Sequence, residues 1–277
     1  MKMNLAVITG SRADYGLLEW PIKLLREDPF FSVAEVNIWN AKADQAVQLV
    51  GEYLTKSRPD YVLLLGDRFE IMGAAFAAHL MRVPIAHIGG GDVTEGSYDN
   101  AMRDCISRFA SIHFVTSQPS LDRLHSLGYS DLHLVGNPGI DYIRNAPWKT
   151  ERPIAGPYVV VSYQAETIDD TVDMLAVYEA IAGRETVWIT PNQDRGNERI
   201  PAGRTYGHAE FLNLLAHCEE FIGNSSSMLY EAPELGVKCR MIGKRQQGRV
   251  IPWGDGKASE RIVQVLKYGR IALDWDG

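Results

Sequence analysis

The chain is 277 residues long, with 45% hydrophobic and 23% charged residues, which are ordinary globular proportions. That length fits one large domain or two modest ones and excludes a mainly disordered chain. With 35 acidic against 28 basic residues the formal net charge is −7, which argues against a nucleic-acid binder but leaves room for a local anion pocket.

Strand and helix patterns alternate from the start. Residues 4–9 form a β-rich apolar run, too short for the core of a signal peptide, and read as a first buried strand. Helical spacing follows over 15–26. The series continues with a strand at 33–39, helix 43–54, strand 61–65, helix 69–81, strand 84–88, helix 99–109, strand 112–115, helix 120–127 and strand 132–135. Short, continuously apolar strands joined by helices predict a parallel sheet covered on both faces. Residues 145–157 hold three of the 13 prolines and no period, so they read as a linker. A second series follows: strands at 158–161, 186–190, 221–222 and 239–242, with helices at 208–217, 228–235 and 259–266. The expected fold is therefore α/β, with two Rossmann-like doubly wound domains, 1–147 and 155–277, facing a cleft.

No apolar run approaches membrane-spanning length. Cys105, Cys218 and Cys239 are odd in number and show no CxxC spacing. They read as small core residues in a reducing, cytoplasmic protein. No His/Cys cluster has metal-binding spacing, and His87, at a strand end, reads as a hydrogen-bonded structural histidine.

Ligands of doubly wound sheets bind outside the carboxyl ends of the strands. Glycines and polar residues gather there: Thr9-Gly10-Ser11-Arg12, Gly66-Asp67-Arg68 and His87 to Asp92 in the first half. The second half offers Ser162-Tyr163-Gln164, Pro191 to Asp194, Gly223 to Ser227 and Gly243 to Gln246. Turn and cap chemistry alone accounts for any one of these, but less readily for the set. Ser225–Ser227 at the start of the expected 228–235 helix would offer hydroxyls and free N–H groups to a phosphate. Glu231, one turn on, suits ribose hydroxyls or simply the helix dipole. Arg12, Arg68, Arg245 and Arg249 could supply forked positive charge to a diphosphate. Neither a Walker A loop nor a GxGxxG fingerprint is present. Asp67, Asp92, Glu95 and Asp99 gather after the third and fourth strands, where carboxylates near a phosphate site are costly unless they do proton chemistry or bind a metal.

The stretches GSRADYGLL, LLLGDRFEIMGAA, AHIGGGDVTEGSYDNAMRD, SIHFVTS, LVGNPGID, TPNQD, IGNSSSMLYEAPELGV and IGKRQQGR occur in this order. Together they resemble the UDP-N-acetylglucosamine 2-epimerase family, more closely its hydrolysing branch in sialic and legionaminic acid pathways. The resemblance implies a fold of the two-Rossmann glycosyltransferase-B type and a UDP-sugar substrate. It also implies a homodimer or higher homo-oligomer and no cofactor. The implied reaction eliminates UDP through a 2-acetamidoglycal, adds water at C1 and returns a proton to C2 from the opposite side. By resemblance Asp67 and Asp99 fall on catalytic positions, with Arg103 one turn after Asp99. Arg12, Arg68, Ser225, Ser226, Glu231 and Arg245 fall on nucleotide-binding positions, Asn192 lies near the nucleotide and Tyr206 near the base.

Two positions depart from the family pattern. Relatives often carry Glu where this chain has Gly89, so Asp92 or Glu95 is expected to supply the missing carboxylate. Relatives often carry His where Gln164 stands, and a glutamine can bond a phosphate without bearing charge. The chain is also shortened, chiefly between Trp39 and Asp60. A non-hydrolysing epimerase, a glycosyltransferase on the same fold and a nucleotide-sugar binder without turnover are the competing readings.

Overall fold

The computed structural model describes residues 2–95, 97–192, 194–249 and 254–269. In chain order the elements begin β1 (Met3–Thr9), α1 (Arg12–Glu27), β2 (Phe31–Asn37), α2 (Ala43–Ser57), β3 (Tyr61–Leu65) and α3 (Phe69–Leu80). They continue β4 (Ile85–Ile88), α4 (Asn100–Phe109), β5 (Ile112–Val115), α5 (Gln118–Ser126), β6 (Leu132–Leu134) and α6 (Pro138–Asn145). Then come β7 (Val159–Ser162), α7 (Met174–Ile181), β8 (Thr186–Trp188), α8 (His208–His217), β9 (Glu220–Gly223), α9 (Glu231–Glu234), β10 (Cys239–Met241) and α10 (Ala258–Tyr268). Single 3-10 turns stand at Asn197–Arg199 and Ser226–Met228.

The strands form two parallel sheets, ordered β2-β1-β3-β4-β5-β6 and β10-β9-β7-β8. In the first sheet the period of two sends alternate strand residues to opposite faces. Leu5, Val7, Leu63 and Leu65 join one core with Leu18, Ile22 and Leu25 of α1. Ala6, Ile8, Val62 and Leu64 join the other with Val50 and Leu54 of α2 and Ile71, Ala74 and Ala78 of α3. Both faces are thus covered, as the unbroken apolar strands require. The second sheet is built likewise. Val159, Val161 and Ile222 pack with Val177 of α7, and Val160 and Phe221 pack with Leu214 and Leu215 of α8.

Contacts divide the chain into two units, one within 1–93, 99–145 and 252–277 and the other within 94–98 and 146–251. Both units are Rossmann-like α/β sets, as the alternation of patterns predicts. The expected boundaries, 1–147 and 155–277, need correction in two places. First, α10 belongs to the first unit: Ile262, Val265 and Leu266 are buried in the same core as α1. Sequence order alone attaches a final helix to the strand before it. Second, the short segment 94–98 counts with the second unit, where Glu95 N–H donates to the Gln247 carbonyl at 3.0 Å.

Smaller differences have local causes. The strand expected at 33–39 begins two residues earlier, because Phe31 pairs with Met3 and is itself buried. Helices α6 and α7 were not legible. The first has only eight residues, six of them buried, and in α7 Leu175 and Tyr178 face outward, which blurs the periodic signal. The three cysteines are free, but Cys105 and Cys239 are exposed and Cys218 is half-buried, so they are not core residues. The expected linker is anchored: Trp148 is buried, Thr150 N–H donates to Asn213 Oδ1 at 3.2 Å, and Asn213 Nδ2 donates to the Glu151 carbonyl. No helix among the described residues is long and apolar enough to cross a membrane.

Ile262 has no exposed surface. Ile262→Ala is expected to destabilise the first unit by about 2–5 kcal/mol, the usual cost of such a cavity. Urea unfolding followed by a probe in that unit checks this.

Candidate active site

In each sheet the strand order reverses beside the unit's first strand. β1 is flanked by β2 and β3, and β7 by β8 and β9. The carboxyl ends at such a reversal leave a crevice. The sequence-expected residues fall largely on these ends.

In the first unit Ser11 caps α1, its Oγ accepting from Asp14 N–H at 3.1 Å. Arg12 opens that helix, exposed, with its guanidinium 5.8 Å from the centre of the Trp39 ring. Trp39 is held in turn, its Nε1 donating to Thr9 Oγ1 at 3.0 Å. After β3, Asp67 bonds to Arg103 of α4. Arg103 is 3% exposed, and its Nη1 also donates to the Asp92 carbonyl at 2.6 Å and to Asn100 Oδ1 at 2.9 Å. Asp99 precedes α4 and is half-buried, with its carbonyl accepting from Arg103 N–H. Next to Asp67, Arg68 Nε donates to Glu70 Oε1 at 2.6 Å.

His87 links these parts. Its Nε2 lies 2.8 Å from the Gly66 carbonyl, which can only accept, so Nε2 carries the proton and Nδ1 accepts from Ser107 Oγ at 3.2 Å. Burial pushes its pKa down to about 4, so the ring is neutral near pH 7. The structural role expected for His87 is what these contacts describe. Asp92 is 8% exposed. Its carboxylate accepts from Ser120 Oγ at 2.5 Å and from Thr116 Oγ1 at 3.1 Å. Glu95, by contrast, is exposed and sits in the second unit. The expected acidic cluster is thus split between a hydroxyl-bound aspartate and an open glutamate.

In the second unit Asn224 ties the loop ends together. Wholly buried, it accepts from Gln164 N–H through Oδ1 at 2.8 Å and donates from Nδ2 to the Gln164 carbonyl at 2.8 Å. Its own carbonyl accepts from Gln246 Nε2 at 2.9 Å. Gly223 before it has φ +137°, and a Cβ there would lie 2.0 Å from the Ser162 carbonyl oxygen, so only glycine fits. Gln164 Oε1 accepts from Asn192 N–H and from Asn197 Nδ2, both at 2.9 Å. Asn192 Nδ2 donates to Asp194 Oδ2 at 2.7 Å. Arg245 joins the same aspartate at 2.7 Å and donates to the Ala165 carbonyl at 2.6 Å. Gln164, Asn192 and Arg245 therefore share one network. Arg249 Nη1 donates to Gln246 Oε1 at 3.1 Å. Tyr206 is half-buried, with the Arg204 guanidinium 4.8 Å from its ring centre.

The helix expected over 228–235 is not continuous. Ser226–Met228 is a 3-10 turn capped by Ser225, and α9 is a single turn beginning at Glu231. Pro233 explains this, since it lacks an N–H and tolerates only the first turn of a helix. The serines therefore do not stand at the tip of a long helix, and its dipole is not available to a phosphate. Glu231 is buried, and His208 Nε2 lies 2.9 Å from its Oε1.

Sequence reasoning overlooked Asp14, Glu70, Asn197, His208 and Asn224, although all but Asn197 and His208 lie inside the motifs quoted above. A mid-motif residue is inconspicuous until its burial is known. Among the described residues no group of three or more His, Cys, Asp or Glu is placed to hold a metal ion.

The sequence profile of UDP-N-acetylglucosamine 2-epimerases matches residues 34–251. The chain belongs to that family. Among its epimerase relatives is the hydrolysing UDP-N,N'-diacetylbacillosamine 2-epimerase of Legionella pneumophila, 26% identical over 96% of this chain and 96% of that protein. Another is the hydrolysing GDP/UDP-N,N'-diacetylbacillosamine 2-epimerase of Campylobacter jejuni, 24% identical over 70% of this chain and 58% of that one. The Legionella alignment runs to 363 positions, longer than this epimerase-family chain of 277 residues, so the shortening is real. The fold matches the UDP-GlcNAc 2-epimerase of Methanocaldococcus jannaschii solved with UDP-GlcNAc and UDP, with a TM-score of 0.78 at 17% identity over 96% and 100% of the two chains.

The histidine at the centre of this family member's first unit makes it acid-sensitive. Unfolded imidazole takes its proton near 6.5 and folded His87 only near 4, so the unfolded state holds more protons between those values. His87 thus contributes stability that is fully present above pH 6.5 and lost as the pH falls towards 4, by about 3 kcal/mol. Chemical denaturation at a series of pH values should show His87→Gln with correspondingly less loss on acidification.

Proposed function

We propose that this chain is a hydrolysing 2-epimerase acting on a UDP-N-acetylhexosamine, either UDP-GlcNAc or its 4-acetamido-6-deoxy analogue, to release the free manno sugar and UDP. Family membership supports the UDP-sugar and inversion at C2. The descriptions of the Legionella and Campylobacter relatives favour hydrolysis. Within the chain, the reading is carried by the buried Arg103 bonded to Asp67 at the end of β3, a carboxylate oriented where proton chemistry is needed.

A carboxylate removes the C2 proton, and the C1–O bond breaks with its electron pair leaving on UDP. The resulting 2-acetamidoglycal takes water at C1 and a proton at C2 from the opposite face. Asp67 and Asp99 exchange the protons, and Arg103 orients Asp67. Glu95, open to solvent, stands in for the carboxylate missing at Gly89. Asp92, its oxygens bound by hydroxyls, holds the loop rather than touching the sugar. Arg12, Arg68 and Arg245 neutralise the leaving diphosphate, Ser225 and Ser226 donate to it, and Glu231 accepts from the ribose. Gln164 and Asn192 line the nucleotide, and Tyr206 lies by the base. A homo-oligomer working in the cytoplasm without a cofactor belongs to the same reading.

Incubation with either UDP-sugar in heavy water, followed by NMR, tests it. Free manno sugar deuterated at C2 is expected. Deuterated UDP-sugar epimers would assign the non-hydrolysing reaction, and unchanged, undeuterated substrate would leave a transferase or a binder. Asp67→Asn should lower turnover by at least about 100-fold, the scale of a lost general acid–base group, while UDP still binds by calorimetry.

A further inference from the structure

Two carboxyl groups beside the first strand end have no task in the mechanism above. Asp14 is 8% exposed and Glu70 3% exposed. Among the described residues no donor reaches Asp14 Oδ2 or Glu70 Oε2. They crowd the same spot: a Cβ built on Gly10 would lie 3.2 Å from Asp14 Oδ2, 3.2 Å from Glu70 Cδ and 2.5 Å from Glu70 Cγ. A carboxyl oxygen buried without a donor is costly as part of an anion, and a proton on the Asp14 side relieves that cost beside Glu70. Arg68 is the adjacent cation, and its Nε donates to the other Glu70 oxygen.

We propose that Asp14 and Glu70 share one proton over Gly10, and that Glu70 positions the Arg68 guanidinium for the phosphates of the nucleotide sugar. This rests on the assignment of Arg68 to the nucleotide made above. Burial raises the Asp14 pKa to about 7, helped by Glu70 and Asp67 and opposed by Arg68 and the Ser11 hydroxyl. Among the described residues, those groups are the charged and polar neighbours that bear on it. The shared proton therefore leaves near neutral pH. Its loss places a second negative charge beside Glu70, draws Arg68 inward and repels an incoming phosphate. Both residues are positioning residues; neither is assigned contact with the sugar.

UDP binding by calorimetry between pH 6 and 9 tests this on the full chain. The terminal phosphate of UDP titrates alike whichever variant is used, so differences between proteins belong to the protein. Relative to Asp14→Asn, the wild type should lose affinity as the pH rises through about 7 and should take up protons on binding above that pH, visible as a buffer-dependent heat. Asp14→Asn should show neither. Glu70→Gln should weaken UDP binding about tenfold at every pH, as expected for a freed guanidinium. If that variant does not fold, Glu70→Asp, which withdraws the carboxylate by one methylene, should weaken binding in the same sense. Parallel pH profiles in wild type and Asp14→Asn, or full affinity in Glu70→Gln, would overturn the shared-proton clamp. Absence of UDP binding by the wild type at every pH would overturn the nucleotide assignment itself, and the clamp with it.

Discussion

A guanidinium taken out of water has to find its compensation nearby, and Arg103 finds it in three places at once. Its partners are the Asp67 carboxylate, the Asp92 carbonyl and the Asn100 side chain. They come from the end of β3, the loop after β4 and the start of α4. Removing the Asp67 carboxylate would strand a buried charge at a cost of several kcal/mol, far above that of an exposed ion pair. The arginine therefore fixes the relative position of three segments whose sequences are otherwise turn-like. His87, neutral and bonded to Gly66 and Ser107, braces the same segments from below, without charge. The Asp67 carboxylate is consequently a preorganised group, not a surface side chain waiting for a partner.

In the second unit an uncharged side chain stands at the centre of the corresponding loop ends. Asn224 satisfies the backbone N–H and carbonyl of Gln164 with one side chain, and Gly223 lets the two strands approach closely enough for it to do so. Gln164 then carries the pattern outward to Asn192 and Asn197, and Asp194 carries it to Arg245. An amide network of this kind holds the loop ends firmly, and the Arg245–Asp194 ion pair closes it on one side.

The sheets were legible because a strand buried on both faces must be mostly apolar, and the runs 5–8 of β1, 62–65 of β3 and 159–161 of β7 are unbroken. The candidate residues were legible because polar and glycine residues collect where those runs stop. What escaped was set by contacts distant in sequence. The break before α9 depended on weighing Pro233 against a run of otherwise helical residues. The place of α10 depended on which core its Ile262, Val265 and Leu266 would enter, and amphipathic spacing says only that there is one. Nothing local in the sequence reveals that Asp14 and Glu70 are both buried beside Gly10. The cysteines misled because residue-type averages say little about single positions, here one on α4, one after α8 and one on β10.

The return of α10 to the first unit orders events during synthesis. Residues 146–251, with the short segment 94–98, leave the ribosome before Ile262 does, so the second sheet can begin to assemble while the first still lacks part of its apolar cover. The face of α1 bearing Leu18, Ile22 and Leu25 then stays partly open until the last helix arrives. A nascent chain of this design exposes that face for the whole time needed to translate its middle, and that interval is when aggregation or a chaperone competes for it.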